Sequence, residues 1–300
     1  MAFQHGKRVG GPRKFVGGLL LALALGCSAE QSGSSQPDVT WEAFKAKSTR
    51  EFEGRTIYLV EWDLALTSES ELYDYYRTVV SPSTSRSASE LGKTEAPLAV
   101  NQVGGVDDVW GEADAHNLTY CVSTDFGADQ ARAIAEMAEA TASWSAFADA
   151  RFVYDSSQNG SCSNANTNVT FAVRPWASGG ACSFFPSGGG CVARTLVMDF
   201  NDFDTDPFWP ANAPNLTTTG VFRHELGHIL GFRHEHTRPE SGTCFEDNDW
   251  RALTPYDSSS VMHYQWCAGV LTADLSLTDY DSSGAISLYG LSASLIHVIL

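Results

Sequence analysis

The sequence predicts an α+β fold. Three observations carry that expectation: short runs rich in β-branched and aromatic residues recur along the chain, one long alanine-rich stretch has helical spacing, and a second helical stretch ends at a glycine inside a cluster of histidines. The strand candidates are 55–62 (Arg55-Thr56-Ile57-Tyr58-Leu59-Val60-Glu61-Trp62), 118–122, 151–154, 169–173 and 195–200. In the alanine-rich stretch, 128–149, the residues Ile134, Met137, Ala138, Thr141 and Trp144 fall on one stripe, so it reads as a long helix. Residues 217–231 and 277–289 are the other long helices expected.

Composition limits what the protein does. A chain of 300 residues that is 43% hydrophobic supports one or two globular domains. Its net charge of −17 and absence of basic runs beyond the N-terminus argue against nucleic acid as a partner, because phosphate binding needs clustered Lys and Arg. The glycine-rich loop 178–190 lacks GxxxxGK[ST], so it reads as a surface loop and not a phosphate cradle.

The N-terminus has the layout of an export signal. Lys7, Arg8, Arg13 and Lys14 precede an apolar run, and Phe15 to Cys27 spans 13 residues, short of the roughly 20 a membrane helix needs. Ala24-Leu25-Gly26-Cys27 resembles a bacterial lipobox, which implies that Cys27 is acylated and becomes the mature N-terminus. The alternative is an ordinary cleaved signal with Cys27 incidental, giving a secreted protein. Residues 28–37 then form a polar tether from the outer membrane or cell surface to the folded body. Six further cysteines remain: Cys121, Cys162, Cys182, Cys191, Cys244 and Cys267. An even number in an exported chain suggests disulfides, and no CxxC supports a zinc role. Short loops favour Cys182–Cys191 and Cys244–Cys267, leaving Cys121–Cys162.

Residues 38–97 read as a small N-terminal module and linker. The module holds strand 55–62 and a helix over 68–80, with Leu72, Tyr75, Tyr76 and Val79 at helical spacing and Ser68 and Glu71 placed as a capping box. The Ser/Thr/Pro-rich 81–97 is an exposed linker where a protease could release a pro-region. The main domain is expected over 98–290, followed by a tail at 291–300.

The chemistry concentrates in His224-Glu225-Leu226-Gly227-His228-Ile229-Leu230-Gly231-Phe232-Arg233-His234. On a helix, His224 and His228 are one turn apart on the same face and can reach one metal ion. Gly231 ends the helix and lets the chain swing His234 back as a third ligand. Three neutral nitrogens leave a fourth position for water, the mark of a catalytic zinc site. Glu225 flanks that face as a general base. A helix with scattered surface histidines would not explain why four of the eight histidines, His224, His228, His234 and His236, lie within 13 residues.

HExxHxxGxxH resembles the zinc signature of the metzincin metalloproteases. That resemblance implies a metzincin-type zincin fold over 98–290: a twisted mixed sheet, an active-site helix, and a small irregular C-terminal subdomain. It implies one catalytic Zn2+, a floor residue Met262 in Ser260-Val261-Met262-His263-Tyr264, and Tyr264 as a zinc ligand or oxyanion stabiliser. Phe232, Glu235, Arg238-Pro239 and Tyr264 resemble astacins; Leu277-Thr278-Asp279-Tyr280-Asp281 and Leu288-Tyr289-Gly290 resemble matrixins. By the same resemblance, Glu235 pairs with an N-terminus created by maturation, a surface salt bridge being the alternative, and Asp63 is a latency ligand on the zinc. His236 and His263 read as supporting or surface residues.

The expected function is a zinc-dependent endopeptidase, made as a zymogen and monomeric, acting on protein or peptide substrates that add as a strand beside 195–200. It meets a membrane only through its lipid anchor. The alternatives are a non-catalytic surface-attached binding or adhesion lipoprotein that retains the metal site, and a zinc hydrolase of non-peptide amides.

Overall fold

The computed structural model describes residues 39–60, 62–66, 68–81, 98–271 and 274–295. The export signal, Cys27 and the tether lie outside the described residues, as do Glu61, linker residues 82–97 and residues 296–300.

The N-terminal module begins with α1 (Trp41–Ser48), capped by the Thr40 hydroxyl, which accepts from the Ala43 amide. Strands β1 (Thr49–Phe52) and β2 (Arg55–Val60) form a hairpin closed by Glu53 and Gly54, both at positive φ, and β3 (Leu64–Leu66) pairs antiparallel with β2. Then comes α2 (Glu69–Tyr75), started by the Ser68 hydroxyl accepting from the Glu71 amide, and a wider helical turn over Tyr76–Val80.

Beyond the linker, β4 (Ala99–Val103) and β5 (Val106–Asp107) make a hairpin, followed by a single turn, α3 (Glu112–Ala115). The main sheet is built from β6 (Leu118–Val122), β7 (Phe152–Tyr154), β8 (Phe171–Pro175), β9 (Ala181–Cys182) and β10 (Thr195–Met198), in the order β7-β6-β8-β10-β9. The first four run parallel and β9 runs antiparallel at the edge. Helix α4 (Gln130–Ser145) precedes β7; α5 (Phe200–Thr205) and α6 (Phe208–Asn212) follow β10 and lead to α7 (Thr218–Ile229). The chain then becomes irregular. It holds β11 (Phe232–Arg233) and β12 (Trp250–Ala252), which flank β4 on either side, and closes with α8 (Asp279–Tyr289). The architecture is α+β with a mixed sheet, as the sequence predicts.

The core lies between this sheet and α4 and α7. Met137 and Trp144 of α4 meet Phe222, Leu226 and Ile229 of α7 over Tyr120, Phe171 and Leu196 of the sheet. The Trp144 indole also donates to the Arg223 carbonyl at 2.9 Å, so the one polar atom of a fully buried ring is paired. Ala138 is exposed, and the buried stripe runs instead through Ala133, Met137, Ala140, Thr141 and Trp144. The other face of the sheet is covered by the N-terminal module, where Phe52, Ile57 and Leu59 pack on Trp176, Val192 and Val197.

One expectation fails here. The 195–200 segment is not the border strand: β10 lies between β8 and β9, and Phe200 already belongs to α5, which the Asp199 carboxylate caps. The chain turns back through Gly179 and Gly180, so Ala181–Cys182 takes the edge instead. The six cysteines pair as Cys121–Cys162, Cys182–Cys191 and Cys244–Cys267, so none is a metal ligand. Cys121–Cys162 ties a buried position of β6 across a sequence separation of 41. Removing it with Cys121→Ala/Cys162→Ala should lower the unfolding free energy by about 2–4 kcal/mol through the loop entropy restored to the unfolded chain, measured by denaturant titration. An unchanged midpoint would refute this.

Candidate metal centre

Helix α7 starts where the Thr217 hydroxyl accepts from the Gly220 amide, and it presents His224 and His228 on one face. Gly231 stands at φ +89°, and a Cβ there would lie 2.2 Å from the Asp108 carbonyl oxygen, so only glycine makes this turn. The turn sends Phe232 and Arg233 antiparallel to β4 and returns His234 to the helix face. The Nε2 atom of His234 is then 3.2 Å from that of His228 and 3.2 Å from that of His224. Nitrogens bound tetrahedrally to zinc at about 2.0–2.1 Å sit about 3.3 Å apart, so both of these spacings fit such an ion.

Each ring is aimed from behind. His224 Nδ1 meets the Val261 carbonyl at 2.7 Å, and His228 Nδ1 meets the Phe232 carbonyl at 2.8 Å. His234 Nδ1 bonds the Glu246 carboxylate. When each Nδ1–H donates, the bare Nε2 lone pair must point inward. Burial lowers the His228 pKa to about 4, which keeps that ring neutral.

Glu246 is the functional residue that sequence reasoning misses. Its side chain is 1% exposed and also accepts from Arg233 at 2.6 Å, with His236 Nε2 at 3.4 Å. Burial is the largest influence on this carboxyl and pushes its pKa up, but His234 and Arg233 together outweigh it and hold the group well below the usual carboxylate range. No motif position marks it, because it sits in the irregular stretch after His234.

Asp63, in the connection between β2 and β3, faces the three rings. Its Oδ2 lies 2.9 Å from His224 Nε2 and 3.9 Å from His228 Nε2, and its Oδ1 lies 3.1 Å from His234 Nε2. These four residues form one cluster able to hold a cation. Burial again opposes ionisation most, yet the imidazoles hold Asp63 well below its usual range. Glu225 is 1% exposed, and its Oε2 has no hydrogen-bond partner among the described residues. Burial, and then the nearby Asp63 charge, raise its pKa well above the usual carboxylate value. Its backbone carbonyl accepts from the Ser183 hydroxyl at 2.8 Å, which ties α7 to the residue that follows β9.

Beneath the cluster, Met262 is fully buried. A Cβ on Gly227 would lie 2.3 Å from its Sδ, so the glycine inside the helix is what admits the thioether. Asp281, at the first turn of α8, fixes this turn of chain. It accepts from the Ser260 hydroxyl at 2.6 Å and from the Val261 amide at 2.9 Å while closing the capping box with Thr278. Tyr264 lays its ring against His234 and His236 at centroid distances of 4.5 and 4.3 Å, with its hydroxyl buried and unpartnered among the described residues.

The surface alternatives for three residues are overturned. His236 and His263 are 0% and 2% exposed, and His263 bridges the Tyr264 carbonyl and the Tyr256 hydroxyl. Glu235 is fully buried, pairs with the equally buried Arg238 at 3.2 Å, and accepts from the Asp257 amide. Burial raises its pKa to about 8. These groups lie inside because β4 and the loop 242–257 cover the segment after His234.

No family model matches the chain. One stretch is 42% identical to high choriolytic enzyme 1 of Oryzias latipes, covering 15% of this chain and 23% of that protein. Another comparison gives 34% identity to the zinc metalloproteinase nas-39 of Caenorhabditis elegans, over 17% of this chain and 7% of that one. The chain thus matches less than a quarter of the length of these relatives, and the matched stretch is homologous to astacin-like zinc metalloproteases. Among solved structures, the Oryzias latipes hatching enzyme zinc-protease aligns at 19% identity and a TM-score of 0.40, over 61% of this chain and 94% of that one. Myroilysin aligns at 15% identity and 0.41, over 64% and 98%.

Two outcomes follow from this geometry. Glu246→Gln keeps the shape but weakens the acceptor behind His234, so zinc affinity of the metal-free chain should fall about 10- to 100-fold, read by competition with a chelating dye. Unchanged affinity would refute the role. For Asp281, burial raises the folded-state pKa to about 6 from the usual aspartate value of 3.8. Its stabilising contribution is therefore fully present below about pH 4 and lost as pH rises through about 6. The unfolding free energy of wild type minus that of Asp281→Asn should drop by about 3 kcal/mol between about pH 4 and pH 7. A flat difference would contradict the buried ionisation.

Proposed function

We propose that this chain is a zinc-dependent endopeptidase, held latent by its own N-terminal module. The convergence of three buried imidazole nitrogens on one point, with the buried Glu225 carboxylate beside it and one of its oxygens unpartnered among the described residues, carries the reading. His224, His228 and His234 would hold the ion. When bound, zinc supplies Lewis acidity that activates water and polarises a peptide carbonyl.

The remaining steps belong to the protein. Glu225 accepts the proton of the attacking water and returns it to the leaving amine. The Tyr264 hydroxyl, buried near the imidazoles, is the candidate donor to the oxyanion. Met262 and Asp281 set the floor that fixes His224 through the Val261 carbonyl. Substrate adds as an extended strand along the free edge of β9, where no other strand pairs among the described residues.

Asp63 explains latency on this reading. Its carboxylate occupies the vertex that water needs and excludes substrate from the cleft. Cutting within linker 81–97 would sever the module's tether, a step its release requires. Export fits the three disulfides, and anchoring through Cys27 is the corresponding proposal for location.

The test uses the full chain and a denatured protein substrate. Wild type should be nearly inactive, Asp63→Ala should cleave in a chelator-sensitive way, and adding Glu225→Gln should lower that activity about 10²- to 10⁴-fold. Absence of chelator-sensitive cleavage from Asp63→Ala, or equal cleavage with Glu225→Gln, would overturn the peptidase reading.

A further inference from the structure

The residue before Asp63 occupies a second, separate position in the cleft. Trp62 stands at φ +85°, a conformation that a bulky side chain adopts only where its surroundings compensate. The compensation is aromatic. The Trp62 ring lies 4.7 Å from Phe208 and 5.0 Å from Trp209 between centroids, in tilted geometries. Trp266 meets the same two rings edge-on, at 5.6 Å from Phe208 and 6.0 Å from Trp209. Trp266 in turn stacks on Tyr264 at 4.7 Å, and Tyr264 packs on His234, so the aromatic array runs without a break to the metal-ligating histidines.

Behind the Trp62 ring a cavity continues between α6 and α7. Ala213, Leu216, Val221 and Leu275 line its wall, and His224 and Glu225 stand at its mouth. Apart from the residues of the metal centre, no charged side chain faces this space among the described residues. The Trp209 indole N–H is already committed to Asp202 at 3.1 Å, which fixes the ring and leaves its face as the contact surface. A carboxylate entering here would lose its water with no Lys or Arg in the lining to pair with. A flat apolar ring would keep the tilted contacts that Trp62 makes with Phe208 and Trp209.

We propose that Phe208, Trp209 and Trp266 form the specificity site of this chain, and that it takes a bulky aromatic side chain of the substrate next to the cleaved bond, on the Glu225 side. Trp62 is the internal stand-in for that side chain. Seated one residue from Asp63, it shows which side-chain class the site accepts at that distance from the metal position. The substrate assignment rests on the peptidase reading, whereas the ligand class of the site does not.

Two arms test it on the full chain. In the first, Trp62→Ala vacates the site, and N-acetyl-tryptophanamide is titrated by calorimetry. Saturable binding should appear in Trp62→Ala, be about tenfold or more weaker in wild type and in Trp62→Ala/Phe208→Ala, and be similarly weaker for N-acetyl-leucinamide. Phe208 is only half-buried, so its removal spares the core that Trp209→Ala would disturb, and thermal unfolding confirms that each variant is folded. A folded Trp62→Ala chain that binds no probe, or binds the leucine amide equally, overturns the proposal. In the second arm, Trp62→Ala/Asp63→Ala is given otherwise identical peptides that carry tryptophan or alanine on one side or the other of the cleaved bond. The kcat/KM ratio of tryptophan to alanine should be about tenfold or more on one side and approach unity there when Phe208→Ala is added. A ratio near unity on both sides before that addition also overturns it. A chain that cleaves none of the peptides refutes the peptidase reading, and the probe titration then decides the site alone.

Discussion

Three imidazole nitrogens, with His234 Nε2 held 3.2 Å from each of the other two in a buried site, repel one another unless a cation or protons lie between them. The surrounding structure is arranged to keep them there nonetheless. Two are fixed by the pitch of one helix, and the third is returned by a glycine turn that no residue with a Cβ could make. Three Nδ1 acceptors, Val261, Phe232 and Glu246, then prevent the rings from rotating their lone pairs away. Such an arrangement favours a positive charge among the three nitrogens.

Holding that geometry takes several layers of buried charge. Glu246 accepts from His234 and pairs with Arg233, and one residue after His234 Glu235 pairs with Arg238. Each of these ions would be costly alone, and each has a partner fixed by backbone pairing to β4 or by the loop around Asp257. The floor is set from the far end of the chain. Asp281 is at once the capping residue of α8 and the acceptor for the Met262 turn, so the closing helix starts at the point where the metal floor must be held.

This division explains what was legible in the sequence. His224, Glu225, His228, Gly231 and His234 were readable because their relation is local: the helix repeat and one glycine place them, and only nearby residues intervene. The cysteine pairs of short separation were readable for the same reason. Glu246 was not, since its closeness to His234 depends on an irregular loop with no period of its own. The border strand was misassigned because strand pattern reports burial and not the order of strands: β10 looks like a strand whichever neighbours it has, and the antiparallel return at Gly179 and Gly180 puts β9 outside it. His236 and His263 were open to a surface reading because polar residues rarely sit so deep without partners, and their partners, Glu246 and Tyr256, come from other segments. Asp63 came from family resemblance, and no local pattern could place it against histidines more than 160 residues away.

The two adjacent residues at the β2–β3 connection give the N-terminal module two unlike holds on the cleft. Asp63 is an electrostatic hold that depends on the charge between the histidines, and Trp62 is an apolar one that does not. A third hold lies away from the cleft, where Phe52, Ile57 and Leu59 cover the outer face of the main sheet. Cutting the linker removes the tether but none of these contacts. It turns an intramolecular association into a bimolecular one, so what is lost is effective concentration. On the proposed reading, linker cleavage is therefore necessary for release and not sufficient. The cut module leaves only when it is diluted or degraded, or when a substrate carrying its own aromatic side chain competes for the Trp62 position.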